Sequence, residues 1–380
     1  MKRVILAFGT RPEAIKMAPV FLAMKEISAL EPLILLTGQH EEQLSQALGV
    51  FGIEAAANLQ VMTHRQNLPD LAARILSNAR SELLGLAPSY ILVHGDTLST
   101  FAVAWAAFLE RIPVGHVEAG LRSHNMNEPF PEEANRRLTD VLVDLAFAPT
   151  PLAKENLIRE GKPSDHVVVT GQTSIDAILQ VRQKAKLPSH LPAGPFITVT
   201  MHRRENWPVL GAISRVLGDI ARLFPTWNFV FPVHLNPAVR EAVTPELAGI
   251  ANFYLTDPLD YSSMAALLSA SDVIVTDSGG LQEEGVALGV PVVVLRNVTE
   301  RPEGIAGGGI LLAGTSPKDV SDTIRKLLSD PARLAGMRNT HNPYGDGKAG
   351  MRVAEATAWR LGFGRRPNDW SPEKASTPSS

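Results

Sequence analysis

Short, uninterrupted runs of Val, Ile and Leu recur along the chain, and this rhythm constrains the fold more than any other feature. The runs are RVILAF (3–8), PLILLT (32–37), YILVHGD (90–96), IPVGHVE (112–118) and HVVVTG (166–171). They continue as FITVTMH (196–202), NFVFPVH (228–234), NFYLT (252–256), DVIVTDS (272–278) and VPVVVLR (290–296). A strand wetted on one face alternates apolar with polar residues. A continuous apolar run fits a parallel sheet covered on both faces. Helix-like segments fall between the runs, at 12–28, 70–85, 131–143 and 262–270. The alternation predicts a doubly wound α/β architecture with parallel sheets.

The strand series breaks at QKAKLPSHLPAGP (183–195), which carries three prolines and a glycine. At 380 residues the chain is also long for one core. The expectation is two Rossmann-like domains, 1–182 and 196–347, joined by the linker 183–195. Ligands of open α/β sheets sit beyond the carboxyl ends of the strands, so the natural site is a cleft between two facing domains. Residues 364–380 are polar and rich in Pro and Ser, and read as a disordered tail.

Composition removes several function classes. A net charge of −3 offers no global basic field, which argues against a nucleic-acid binder. The absence of cysteine excludes disulfides, thiolate metal sites and cysteine nucleophiles. The apolar run after the N-terminal Lys2 and Arg3 is too short for a signal peptide, and no stretch approaches the roughly 18 apolar residues of a membrane span. A cytoplasmic, membrane-free protein is the plain expectation.

The polar residues that stand where each strand stops are the informative ones. Strand one ends in GTRPEAIKM, placing Arg11 and Lys16 at a glycine turn that opens a helix. That is either a phosphate cradle or a solvated helix start. His94 and Asp96 follow the third run. His116, Glu118 and Arg122 follow the fourth, and Glu132 and Glu133 open the next helix after Pro131. Each carboxylate alone reads as a cap or a dipole partner. Together, Asp96, Glu118 and Glu132 at consecutive strand ends suit a proton donor and acceptor, because crowding and burial raise carboxylate pKa values.

In the second half, His202 stands beside Arg203 and Arg204 at a strand end, a phosphate neighbourhood. His234 reads as a structural histidine. Ser278, Gly279 and Gly280 open a helix after VIVTD, where exposed N–H groups form a seat for a diphosphate. Glu283 and Glu284, acceptors only, suit ribose hydroxyls instead. Arg296 and Arg301 come toward the same face. These parts describe a nucleoside diphosphate site, with arginine and helix dipole rather than a metal neutralising the phosphates. No Cys–His or Asp-x-Asp cluster offers a metal site, and no cofactor is called for.

FGTRPEAIKMAP, HGDT, HVEAGLRS, PFPEEANRRLTD, VTGQTSIDAI, TMHRRENW, DPLDY, TDSGGLQEE, LGVPVVVLR, TERPEG and NPYGDGKA occur in this order. In that order they resemble the non-hydrolysing UDP-N-acetylglucosamine 2-epimerases, over roughly residues 1–360. The resemblance implies a GT-B fold, with a C-terminal helix at 348–363 returning to the first domain, and a homodimer. It implies reversible conversion of UDP-N-acetylglucosamine to UDP-N-acetylmannosamine for surface polysaccharides, by loss of UDP, a 2-acetamidoglucal intermediate and re-addition. Carried over by position, it makes Asp96, Glu118 and Glu132 the acid/base carboxylates, with His202 near the diphosphate and sugar. Arg11 and Lys16 belong to the substrate pocket, Ser278, Gly279 and Gly280 to the diphosphate, Glu284 to the ribose and Arg301 to another part of UDP. Gln39, Arg65, Glu132, Arg203 and His234 match a second, activating substrate site of some members, although Glu41 and Glu42 add negative charge there. Leu259 and Met264 depart from the usual uridine-side residues, and QEEGV stands where QEEAP is usual, which is expected to loosen a helix. The alternatives are a GT-B glycosyltransferase using a UDP-sugar, and an epimerase for a 3-acetamido-substituted sugar.

Overall fold

The computed structural model describes residues 1–38, 41–61, 67–189, 191, 194–299 and 301–372. Thirteen strands are present among them: β1 (Lys2–Phe8), β2 (Leu30–Leu36), β3 (Ala57–Asn58), β4 (Tyr90–His94), β5 (Val114–Val117), β6 (Leu145–Ala148), β7 (Val167–Val169), β8 (Phe196–Thr200), β9 (Asn228–Pro232), β10 (Phe253–Thr256), β11 (Val273–Thr276), β12 (Val292–Val294) and β13 (Ile310–Leu312). The chain divides into two compact units. One comprises residues 1–177 and 344–371; the other is built from 178–343. The chain therefore leaves the first unit within the helix Thr173–Arg182 and re-enters it at Tyr344.

The first unit holds a seven-stranded sheet in the order β3-β2-β1-β4-β5-β6-β7, with every pair parallel. Every residue of β4, β5, β6 and β7 is buried. This is the two-sided covering that the apolar runs require. Ile5, Leu35, Ile91, Val93 and Val114 join side chains of the helices Leu68–Leu86 and Leu98–Leu109 in one core. The return helix Ala349–Arg360 packs on the helix Arg11–Lys25. Its first amides, of Ala349 and Gly350, donate to the buried Asp176 at 3.1 and 2.8 Å. Burial pushes Asp176 up to about 6, against those two hydrogen bonds.

The tail departs from expectation. Residues 364–372 do not hang free: Trp370 is buried, and its N–H donates to the Val169 carbonyl at 2.8 Å. Asp369 accepts from the Val169 N–H and from Lys154, and Arg366 donates to the Val167 carbonyl. An edge strand exposes unpaired backbone groups, and here the tail satisfies those of β7. One tryptophan and two charged side chains outweigh the polar composition. Residues 373–380 lie outside the described residues.

The second unit carries six parallel strands in the order β10-β9-β8-β11-β12-β13. Its core joins Ile197, Val199, Phe229, Phe231 and Val275 to Ile213, Leu217 and Ile324 of the flanking helices. The two sheets share a plan. In each, the chain reverses direction of winding between two neighbouring central strands, β1/β4 and β8/β11, which marks the ligand-binding end of such sheets. No helix among the described residues is long and apolar enough to cross a membrane.

Candidate active site

In the first unit, the helix mouth after β1 is already filled. Glu13 is buried and accepts from the Gly9 and Thr10 amides, each at 2.8 Å, and from the Thr97 hydroxyl at 2.7 Å. Burial raises its pKa, while those hydrogen bonds act the other way. The turn that sequence left open between a phosphate cradle and a solvated helix start has therefore spent these two amides on the protein's own carboxylate. The T-x-x-E spacing of Thr10 and Glu13 is a capping-box signature that the sequence displays. Lys16, one turn further along, lies 2.5 Å from Glu118 Oε2.

Glu118 follows β5 with φ of +70°, a left-handed conformation that non-glycine residues seldom adopt. Such a backbone is held only where its surroundings over-determine it. The same Oε2 has the Nε2 of His94, from the end of β4, at 3.6 Å. Beneath these strand ends runs a buried network. His116 faces Asp140 Oδ1 at 2.6 Å through Nδ1, and the Gly95 carbonyl at 2.7 Å through Nε2. Arg122 donates to Asp140 and, in bidentate fashion, to Glu160. Burial alone would raise the Asp140 pKa, but His116 and Arg122 hold it low.

Asp96 is tied to the helix Glu132–Leu142 twice. Arg136 donates to its carboxylate, and Asn135 Nδ2 donates to its carbonyl at 3.0 Å. Arg136 also reaches Glu133 at 3.2 Å, and Glu133 accepts from the Ser123 amide at 3.0 Å. Glu132 starts that helix with its Oε2 buried and without a hydrogen-bond partner among the described residues. The structure thus links Asp96, Glu118 and the first turn carrying Glu132 around the end of β4. It also gives Asp96 and Glu118 a cation each, rather than leaving the carboxylates to crowd one another. Arg11 opens the first helix.

In the second unit the organising residue is Asp277, at the end of β11. Fully buried, it accepts from the amides of His202 and Arg203 and from Asn206 Nδ2, at 3.0–3.2 Å. His202 Nδ1 lies 3.3 Å from the same carboxylate, and its ring stacks on His234 at 6.3 Å between centroids. Burial lowers the His202 pKa, aided by Arg203 and His234 and opposed by Asp277. Sequence reading paired neither His202 with His234 nor either of them with Asp277.

The helix Gly279–Ala287 begins with Ser278 at its N-cap, and no side chain caps it. A Cβ on Gly279 would lie 2.9 Å from the Arg301 guanidinium, so any side chain there would push the guanidinium aside. Arg301 is held in that position by Glu283, which accepts from its Nε at 2.7 Å. A Cβ on Gly280 would meet nothing within 4 Å. The result is a helix mouth with free approach, a cation fixed beside it, and Glu284 largely buried one turn in. Such a mouth binds anions. Glu283, offered at first as a ribose acceptor, is instead the anchor of Arg301. Gly285 does not loosen this helix: a Cβ there would fall 2.5 Å from Val292 Cγ2, so the glycine brings the helix down onto β11 and β12. Leu259 and Met264 pack beside Phe196, Val230 and Leu267. Gln39 and Arg65 lie outside the described residues.

The residues missed from sequence are Glu13, Arg136 and Asp277, together with the pairing of Glu133 with Arg136 and of Glu283 with Arg301. Only Glu13 carried a readable local signal; the others act through contacts across the fold.

Comparison with known proteins adds an independent line. The family model described as UDP-N-acetylglucosamine 2-epimerase matches residues 22–358. The chain is 42% identical to the UDP-N-acetylglucosamine 2-epimerase of Neisseria meningitidis, over 93% of this chain and 98% of that protein. It is 43% identical to the Escherichia coli K12 protein of the same description, over 93% and 98%. A crystal structure of the Neisseria meningitidis enzyme bound to UDP-GlcNAc superposes with a TM-score of 0.87, at 41% identity, covering 94% of this chain and all of that one.

Proposed function

Because this chain belongs to the UDP-N-acetylglucosamine 2-epimerase family, whose members are isomerases, we propose how it inverts C2 of that sugar and what it supplies. The C2 proton has no adjacent carbonyl, so its simple removal is too slow. Instead a carboxylate takes the proton, the C2–H electron pair forms a C1=C2 double bond, and the C1–O bond breaks with its pair leaving on UDP. The 2-acetamidoglucal is then protonated at C2 from the opposite face, and UDP re-adds at C1 to give UDP-N-acetylmannosamine. The product feeds surface polysaccharide assembly.

In this reading Asp96, Glu118 and Glu132 move the protons. Lys16 and Arg136 pair with the Glu118 and Asp96 carboxylates and hold them in place. The second unit grips the nucleotide: the Ser278–Gly280 amides and Arg301 hold the diphosphate, Glu284 the ribose, and His202 stands by the leaving oxygen. Arg11 completes the substrate contacts. Charge developing on the diphosphate meets a preorganised cation and helix mouth. The observation that carries the reading is Glu118, forced into a left-handed backbone and pinned by Lys16 at the end of β5.

The deciding experiment is incubation with UDP-N-acetylglucosamine alone in heavy water, followed by NMR. Deuterium at C2 of both epimers is expected. Lack of incorporation without an added acceptor would favour glycosyl transfer instead, and preference for a 3-acetamido sugar would redirect the substrate. We further propose a homodimer. Phe108, Leu109 and Val141 expose apolar surface on the first unit, and light scattering at the mass of one chain would sink that arrangement.

A further inference from the structure

The first unit contains a histidine that the mechanism leaves unused. His94 closes β4 almost fully buried, and neither ring nitrogen has a hydrogen-bond partner among the described residues. A buried polar group in that state is costly and calls for a reason. The charged groups facing the ring are Glu118, Lys16 and His116. Its Nε2 is directed at Glu118 Oε2, 3.6 Å away, and Lys16 Nζ approaches that same oxygen at 2.5 Å.

We propose that His94 is a positioning residue for Glu118, donating its Nε2–H to Oε2 once substrate is bound. The inference rests on Glu118 being an acid/base group. The 3.6 Å separation is too long for a hydrogen bond, but such contacts in unliganded active sites commonly tighten in the complex. Burial pushes His94 down to about 3, with Lys16 and His116 adding to the effect and Glu118 opposing it. The ring is therefore a neutral donor. Two cations on one carboxylate oxygen would hold it ionised and blunt it as a base. One cation and one neutral dipole aim the oxygen while leaving it able to accept a proton and return it.

The test is the pH dependence of C2 deuterium exchange in wild type, His94→Phe and His94→Gln. Losing the donor disfavours ionised Glu118, so the limb reporting that group moves to higher pH whichever direction it serves. His94→Phe is expected to lower kcat roughly tenfold or more with little change in KM, with the limb displaced upward; His94→Gln recovers most of both. If His94→Phe fails to fold, His94→Asn, whose amide is too short to reach Oε2, takes its place. An unmoved limb, or a loss equal at all pH values that Gln does not recover, overturns the proposal in favour of a purely structural histidine. Glu118→Gln separates the two readings. If it retains exchange, the acid/base assignment itself falls. If it is inactive while His94→Phe behaves as wild type, only the present inference falls.

Discussion

The two sheets repeat one winding plan, yet their equivalent helix mouths are treated in opposite ways. After β1, the Gly9 and Thr10 amides are consumed by Glu13, and the next mouth, after β4, is closed by Thr97 accepting from the Thr100 amide. After β11, the mouth at Ser278 has no side-chain cap and carries Arg301 beside it. The same geometry thus serves structure in one unit and stays open to an anion in the other. The difference is made by single residues. A glutamate three positions inside the helix plugs the first mouth, while a glycine and a remotely anchored arginine keep the second open. In the proposed reading, the first unit turns its strand ends to proton chemistry, and the second turns its own to holding phosphate.

This contrast can be broken in four ways. The largest effect belongs to the acid/base side: Glu118→Gln or Asp96→Asn should lower turnover by roughly 10²- to 10⁴-fold, with UDP affinity near wild type. Near-normal turnover in either variant removes that residue from the set. Next comes the open mouth. Glu283→Ala releases the Arg301 guanidinium and should weaken UDP binding about tenfold or more; calorimetry showing unchanged affinity would mean Arg301 does not serve the phosphate. Its counterpart, Glu13→Ala, should leave UDP affinity alone and cost on the order of 1–3 kcal/mol of stability in urea unfolding. Weakened nucleotide binding there would erase the distinction between the mouths.

The smallest effect is a pH slope. The folded chain keeps His94 neutral down to about 3, whereas an unfolded chain protonates it near its ordinary value of about 6.5. Between those values the unfolded state binds the extra proton. The stabilisation is complete above about 6.5 and declines as pH falls toward 3. Asp176, pushed up to about 6, runs the other way: its folded form keeps a proton that the unfolded chain releases near about 3.9, so its contribution declines as pH rises between those values. His94→Phe should flatten the acid side of the stability profile, and Asp176→Asn the segment between about 4 and 6. Identical slopes in wild type and variants would contradict both assignments.

Much of this organisation was legible beforehand because burial on both faces writes itself into sequence as unbroken apolar runs. β1, β4, β8 and β11 were visible on that ground. β3, β6 and β13 were not, since AN, LAFA and ILL are too short to stand out from their surroundings. Polar residues at strand ends marked both site regions for the same reason: a buried strand has no other place for them. Their partners stayed hidden. Asp96 and Arg136 are 40 residues apart, and Asp277 organises a turn 74 residues before it. No local pattern encodes such pairings. The tail misled because composition describes solvation on average, while Trp370 and Asp369 act individually.

The way the tail and the return helix complete the first unit bears on how this protein is made. Residues 178–343, which hold the whole second sheet, are one uninterrupted run of chain, whereas the first unit cannot cover β7 or the helix Arg11–Lys25 until residues 344–371 arrive. A ribosome delivers those pieces only after residues 178–343. The amino-terminal half therefore waits, incomplete, through the synthesis of its entire neighbour, and the part of the protein translated second is free to finish folding first.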